Sequence, residues 1–352
     1  EQIEMTAIKY KSSEEIGSLI ESEIRVRHID QVFILVDNTT NRLCLSKINT
    51  TNISPTIITL DLNEQSKDLD HVVRLWDIFM ENMATRHSLL INVGGGLICD
   101  IGGFAAATYK RGMHFINIPT TLLATIDAAT GGKNGINYRG VKNMIGTFVP
   151  ADLIIINPTF FETLDTENRL SGYAEMIKHS LIGDNILFEQ TMSYDIEKFD
   201  IKRLSLLLKQ NLDLKQRITE NDPLDNGIRK SLNFGHTIGH ALEAESISKG
   251  KTILHGYAVM WGMLAEIYLS VIKLKFDKSV LHTMMSFAKE HYGSFPFTCK
   301  EYENIYNYME HDKKNSGDEI NFSLLAGIGD VRLNQSATKE EIFEALDYIR
   351  EN

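Results

Sequence analysis

Short apolar runs alternate with stretches of helical period along the first 165 residues. Gln31–Val36 is a continuous apolar run closed by Asp37, and Thr56–Leu60, Leu89–Val93, Phe115–Ile118 and Leu153–Ile156 are four more. Runs of this length, apolar at successive positions, predict strands buried on both faces. Between them, 68–85 places Leu69, Val72, Val73, Leu75, Trp76, Phe79, Met80 and Met83 at helical spacing, and 98–109 reads as a helix despite Gly102 and Gly103 near its start. Strands alternating with helices predict a mainly parallel sheet covered on both faces. From about residue 168 the pattern changes. Long amphipathic stretches take over at 204–218, 232–245, 256–274 and 339–349, with one late strand candidate at 320–325. The expectation is an α/β domain over 1–165 and a helical domain over 166–352. The absence of a linker predicts a cleft between them, a favoured position for a ligand.

Composition adds bounds. With 352 residues, 43% hydrophobic and 24% charged, the chain can bury a sizeable core without disulfides. A net charge of -11 disfavours nucleic acid and anionic membrane as general partners. It leaves room for a small anion in a locally basic pocket. Cys44, Cys99 and Cys299 form no CxxC pair, so free thiols in a reducing compartment are expected. The N-terminus has no basic region followed by an apolar one. No apolar run was expected to approach the roughly 18 residues of a membrane span. These readings make the cytoplasm the expected location.

Three clusters carry candidate chemistry. Strand, Gly94-Gly95-Gly96, helix is a phosphate-binding arrangement, because glycines admit the anion and a helix start presents free N–H groups. The spacing departs from GxGxxG, and the acidic candidate for a ribose, Asp37, precedes the glycines instead of following them. Alone, the turn is as well explained by a tight strand-to-helix connection. Second, His236 and His240 are four apart on one helical face, His255 precedes Gly256, and Glu175 has Lys178 one turn on. Three neutral N/O ligands with an open position hold catalytic zinc. Spacing alone nominates His236 and His240 as the ligand pair, although any single histidine is as readily a core or cap residue. Third, 124–146 is rich in small and polar residues and reads as a ligand loop. Lys133, Lys142, Arg111, Arg229, Lys215, Lys313 and Lys314 are singly ordinary surface charges, but as a set they suit phosphate and carboxylate.

Seven blocks then fall in a recognisable order: GGGLICDIGGFAAATYKRG (94–112), IPTTLLATIDAATGGKNGIN (118–137), KNMIGTF (142–148), GYAEMIKH (172–179), RKSLNFGHTIGHALE (229–243), LHGYAVMWGM (254–263) and DKK (312–314). Together they resemble the 3-dehydroquinate synthase family of sugar-phosphate cyclases from about residue 30 to 330. The resemblance implies a Rossmann-like NAD-binding α/β domain and an all-α domain carrying Zn2+ or Co2+. It implies Glu175, His236 and His255 as metal ligands, moving His240 to the substrate site. Asp37, Glu64, Lys67, Gly95, Gly96, Leu97, Ile98 and Asp100 correspond to NAD contacts, as do Thr120, Thr121, Asp127, Lys133, Lys142, Phe160 and Thr163. Lys133, Asn143, Lys178, Lys215, Arg229, Asn233, His240 and the Lys313–Lys314 pair correspond to the substrate pocket. Arg111 corresponds to an arginine reaching a neighbouring subunit, which implies a homodimer. Asn134 stands where threonine is common.

The implied reaction turns 3-deoxy-D-arabino-heptulosonate 7-phosphate into 3-dehydroquinate and phosphate, a step of the shikimate pathway to aromatic amino acids. Oxidising an alcohol to a ketone acidifies the adjacent C–H, so phosphate leaves by β-elimination. Hydride then returns, the ring opens and an intramolecular aldol closes the carbocycle, with no net redox change. A metal-dependent polyol dehydrogenase is the alternative from the oxidoreductases, and it has no use for so many cations. Another sugar-phosphate cyclase is the nearer alternative, and a non-catalytic scaffold would not need the ligand set.

Overall fold

The structure is a computed structural model that describes residues 6–50, 52–62, 66–139, 141–314 and 320–352, except the side chains of 312–314. The chain forms two compact units, Glu1–Asp165 and Thr166–Asn352.

The first unit runs β1 (Ala7–Tyr10), α1 (Ser13–Val26), β2 (Val32–Asp37), α2 (Asn38–Leu43), β3 (Thr56–Leu60), α3 (Leu69–Glu81), β4 (Leu89–Gly94), α4 (Gly96–Thr108), β5 (His114–Pro119), a π-helical turn (Ala124–Ala128), β6 (Lys133–Tyr138), β7 (Val141–Phe148) and β8 (Leu153–Ile156). Six strands make one sheet in the order β1-β8-β5-β4-β2-β3, with every pairing parallel. The central strands are buried along nearly their whole length, which explains their continuous apolar runs. The edge strand β1 went unpredicted because AIKY contains no such run.

The polar stretch expected as a loop is instead largely the antiparallel hairpin β6–β7, paired Lys133↔Phe148 to Tyr138↔Val141. Seven of the eight residues of β7 are exposed, so no apolar alternation marked it as a strand. The glycines in α4 seat the helix on buried amides. A Cβ at Gly102 would lie 1.9 Å from Asn92 Oδ1, and one at Gly103 2.1 Å from Asn134 Oδ1. Asn92 in turn donates to Asn117 Oδ1 at 2.9 Å, and Asn134 donates to the Val149 carbonyl at 2.8 Å.

After β2 the chain passes to the edge strand β3 and then returns to the opposite side of β2, where β4 pairs with it. The connections leaving β2 and β4 therefore diverge. Ligands of open parallel sheets bind at such switch points, outside the carboxyl ends of the strands. Leu35 pairs with Asn92, so two residues on in each strand Asp37 lies level with Gly94. The acidic residue that comes too early in the sequence for the usual fingerprint is thus the glycine turn's neighbour in space.

The second unit runs α5 (Thr166–Gly183), α6 (Asn185–Met192), α7 (Ile201–Asn221), a 3-10 turn (Ile228–Asn233), α8 (His236–Ser248), α9 (His255–Leu274), α10 (Lys278–His291), α11 (Tyr302–Lys314), β9 (Phe322–Gly327), β10 (Asp330–Gln335) and α12 (Lys339–Glu351). The helix expected over 232–245 is broken. Phe234 is extended and Gly235 takes φ 79°, so α8 starts anew at His236. The late strand pairs antiparallel with β10, adding a hairpin to the otherwise helical unit. Contrary to the reading that no apolar run approaches a membrane span, α9 is long and apolar enough by length and composition, with a mean hydropathy of 1.3 over 18 residues. Most of that stretch, 67%, is buried inside the fold, and α5, α8, α10, α12 and β9 pack around α9.

Overpacking against a buried amide destabilises by about 1–3 kcal/mol. Gly102→Ala should therefore lower the free energy of unfolding of the first unit by that amount in urea titration. A variant as stable as the parent would show that α4 does not rest on Asn92.

Candidate functional site

Three helices of the second unit bring a carboxylate and two imidazoles together. Glu175 lies in the middle of α5 and is fully buried, while His236 and His255 are the first residues of α8 and α9. The spacing of these helices is set by glycine. A Cβ at Gly256 would lie 1.9 Å from the Ser171 carbonyl of α5, and the Gly256 N–H donates to Ser171 Oγ at 3.0 Å. Ser171 is one turn before Glu175, and Gly256 is next to His255. On the other side, a Cβ at Gly262 of α9 would lie 2.1 Å from the Gly235 carbonyl, beside His236.

The geometry is that of a cation site. His236 Nε2 and His255 Nε2 each stand 3.2 Å from the same atom, Glu175 Oε1. Donors arranged tetrahedrally about a zinc ion at its usual bond lengths are about 3.4 Å apart. The remaining ring nitrogens are engaged. His236 Nδ1 is 3.1 Å from the Phe234 carbonyl, which only accepts, so Nδ1 carries the proton and Nε2 faces the centre. His255 Nδ1 is 3.4 Å from Glu243 Oε2, the carboxylate buttress that metal-bound imidazoles commonly have. The donor set therefore fits a divalent ion with an open position.

His240, nominated by spacing, does not join Glu175. It groups with Glu243 and His255, and its ring centroid is 5.2 Å from that of His236. Two residues in one helix share a face, but the third ligand direction comes from other helices, which spacing cannot register.

Lys178 Nζ is 2.5 Å from Glu175 Oε2. Burial by itself would raise the Glu175 carboxyl, but the Lys178 ammonium and His236 outweigh it and hold it well below the usual range. His255 is pushed down by burial, yet hydrogen bonds to Glu175 and Glu243 raise it to about 10. Lys215 on α7 and Arg229 on the 3-10 turn are buried, and α5, α7 and this turn pack on one another. The Arg229 guanidinium donates to the Pro223 carbonyl at 2.8 Å. Asn233 and His240 are exposed. The sequence reading missed Glu243 and Glu266. The available signal was a carboxylate three residues after His240, and a lone carboxylate midway along the apolar α9.

In the first unit, Asp37 Oδ1 accepts from the Thr39 and Thr40 N–H groups at 2.7 Å, capping α2. Gly95 is the N-cap of α4, which has no capping side chain, and Gly96, Leu97 and Ile98 form its first turn. Lys67 is buried, ion-paired with Asp100, and donates to Asn143 Oδ1 at 2.5 Å. Asn143, expected with the substrate residues, is thus joined to two expected cofactor residues. Thr120 is buried and its N–H bonds the Gly94 carbonyl, while Thr121 Oγ1 accepts from the Ala124 N–H. Asp127 lies in the π-helical turn. Lys142 is exposed on β7, Lys133 has its ammonium 5.9 Å from the Phe148 ring centroid, and Phe160 is buried with Thr163 bonded to its carbonyl. Arg111 is exposed, at φ 67°. Glu64 lies outside the described residues, as do the side chains of Lys313 and Lys314 at the end of α11.

Family profiles match the chain over two consecutive spans: 3-dehydroquinate synthase N-terminal over residues 57–171 and 3-dehydroquinate synthase C-terminal over 172–315. The chain is 46% identical over 326 residues to a 3-dehydroquinate synthase of Parabacteroides distasonis, covering 92% of each. Among solved structures it superposes on 2-epi-5-epi-valiolone synthase of Streptomyces hygroscopicus, with NAD+ and Zn2+ bound. The TM-score is 0.86 at 23% identity, over 98% of this chain and 97% of that one. It also superposes on 2-deoxy-scyllo-inosose synthase complexed with carbaglucose-6-phosphate, NAD+ and Co2+, at TM-score 0.86 and 23% identity, over 100% and 99%. At these identities the two structures establish a shared fold.

With His255 raised to about 10, the ring carries a proton throughout the neutral range that a cation must displace. Zinc affinity of the metal-free protein should therefore rise about tenfold per pH unit between pH 6 and 8, as read by competition with a chelator of known affinity. A flat profile would show that the His255 ring carries no proton for the cation to displace over that range.

Proposed function

The chain belongs to the 3-dehydroquinate synthase family, and from that premise we propose that it converts 3-deoxy-D-arabino-heptulosonate 7-phosphate to 3-dehydroquinate and phosphate. It is a carbon–oxygen lyase using NAD and a divalent metal, in the shikimate pathway. The observation that carries this reading is the meeting of two imidazole nitrogens at one carboxylate oxygen, in a unit that also buries Lys178, Lys215 and Arg229.

Glu175, His236 and His255 hold the cation, with Glu243 and the Phe234 carbonyl fixing the two rings. Asp37 would hold the ribose of NAD, and the amides of Gly95, Gly96, Leu97 and Ile98 would hold its pyrophosphate. Lys67 and Asp100, then Thr120, Thr121, Asp127, Lys142, Phe160 and Thr163, complete the cofactor contacts, to which the resemblance adds Glu64. Bound in these places, the cation would supply Lewis-acid polarisation of the reacting hydroxyl, and NAD would supply a reversible hydride acceptor.

The substrate presents a phosphate and a carboxylate. Arg229 suits bidentate contact with one of them, and Lys215 and Lys133 supply point charges. Lys178 balances Glu175 and leaves two of its three donors for the ligand. Asn143 and Asn233 add amide hydrogen bonds, and His240 moves a proton. Lys313 and Lys314 belong to the same basic set by resemblance. Arg111 extends to the neighbouring subunit of a homodimer, and the enzyme works in the cytoplasm.

The test is incubation with the heptulosonate phosphate, NAD and zinc, with the product identified by mass and NMR. Phosphate should be released without accumulation of NADH; sustained NADH without phosphate would point to a dehydrogenase. Loss of an outer-shell partner of a metal ligand lowers activity 10- to 100-fold, so His236→Ala or Glu175→Ala should lower turnover at least about a hundredfold with the far-ultraviolet circular dichroism unchanged. Arg111→Ala should lower kcat/KM at least about tenfold, the worth of one charge-assisted hydrogen bond, at full zinc content. Loss of zinc in that variant would contradict its role.

A further inference from the structure

Glu266 is a fully buried carboxylate that the reading above leaves unused. It lies on α9, where its neighbours in sequence are almost all apolar. Its partners are main-chain amides of a different helix. Oε2 accepts from the Gly235 N–H at 2.6 Å, and Oε1 from the Ile238 N–H at 3.3 Å.

The start of α8 needs such a partner. Gly235, its N-cap, has no side chain to bond the orphan amides of the first turn. The two oxygens of Glu266 offer acceptors in one plane, and although burial pushes the carboxyl up to about 8, these main-chain bonds act to lower it, as does the positive end of a helix. The two amides it bonds bracket His236, one on each side. The His236 ring is fixed at Nδ1 by the Phe234 carbonyl, part of the same turn. The direction of Nε2 is therefore inherited from the seating of that turn on α9, the helix that also begins with His255. The support is mutual: α8 supplies Glu243 to the ring of His255, and α9 supplies Glu266 to the turn that carries His236.

We infer that Glu266 is a positioning residue of the metal centre, capping α8 from across the helix pair so that His236 Nε2 points at Glu175 Oε1. This rests on His236 being a metal ligand. A well-packed apolar residue would serve packing alone more cheaply than a buried carboxylate, and the bonds to the two bracketing amides are what such a residue would lose. Glutamine retains one acceptor and sets its NH2 group against the second amide, so Glu266→Gln is a partial replacement.

The experiment uses the full-length zinc-loaded protein, Glu266→Gln, Glu266→Ala, and Leu269→Ala as a control that truncates a buried apolar side chain on the same helix. Three quantities are read: the rate of zinc loss to excess chelator, the visible spectrum after exchange to Co2+, and the thermal midpoint. Both Glu266 variants should lose zinc about 10- to 100-fold faster, the usual effect of removing support for a ligand. Their cobalt bands should shift, with glutamine closer to the parent. Leu269→Ala should keep the parental zinc-loss rate and spectrum at an equal or greater fall in midpoint. A parental zinc-loss rate and spectrum in Glu266→Gln would overturn the inference. So would equally fast zinc loss from Leu269→Ala, or failure of both Glu266 variants to fold, which would make the residue a folding determinant. A parent protein that takes up no stoichiometric zinc would instead defeat the metal-site reading itself.

Discussion

Main-chain contact at glycine fixes how near the three helices that carry Glu175, His236 and His255 come to one another. The Ser171 carbonyl rests where a Cβ of Gly256 would be, and the Gly235 carbonyl where a Cβ of Gly262 would be. Glu175 is one turn from the first contact and His255 adjacent to it, while His236 is adjacent to the second. Two imidazole nitrogens can then stand 3.2 Å from one oxygen without long, flexible reaches. Hydrogen bonds set ring rotation once this spacing exists. They could not create it, because a side chain cannot draw two packed helices together against atomic overlap.

Charge follows from that geometry. Glu175 is buried and ionised because Lys178 and His236 outweigh its burial. An isolated carboxylate in that place would protonate. The surface of the chain is acidic, with net charge -11, yet the second unit keeps three cations buried on α5, α7 and the 3-10 turn. Those cations lie among four buried carboxylates, Glu175, Glu243, Glu245 and Glu266, and net charge does not report how such groups are paired inside.

The buried sheet was legible because its central strands are apolar at successive positions, and α3, α7, α9 and α12 because their periodicity is unbroken. The hairpin β6–β7 was not, since solvent lies along most of β7 and removes the alternation that marks a strand. The break before α8 was hidden because Gly235 is flanked by residues that suit a helix. Asp37 seemed misplaced relative to the glycine turn until the strand order made β2 and β4 neighbours. The family blocks pointed to Glu175, His236 and His255 where spacing pointed to His240, because a shared helical face says nothing about which neighbouring helix it meets. Glu243 and Glu266 were invisible as functional groups for the same reason: each acts on the helix opposite its own.

Both imidazoles are the first residues of their helices. The peptide dipoles of α8 and α9 therefore aim their positive ends at one small volume. That field opposes the arrival of a divalent ion and welcomes whatever negative charge comes to sit beside it. The backbone would thus weaken the hold on a cation bound there alone and strengthen the hold on an anion beside it. With both bound, the anion would offset the dipoles' effect on the cation, and each would hold the other in place more firmly than either is held alone.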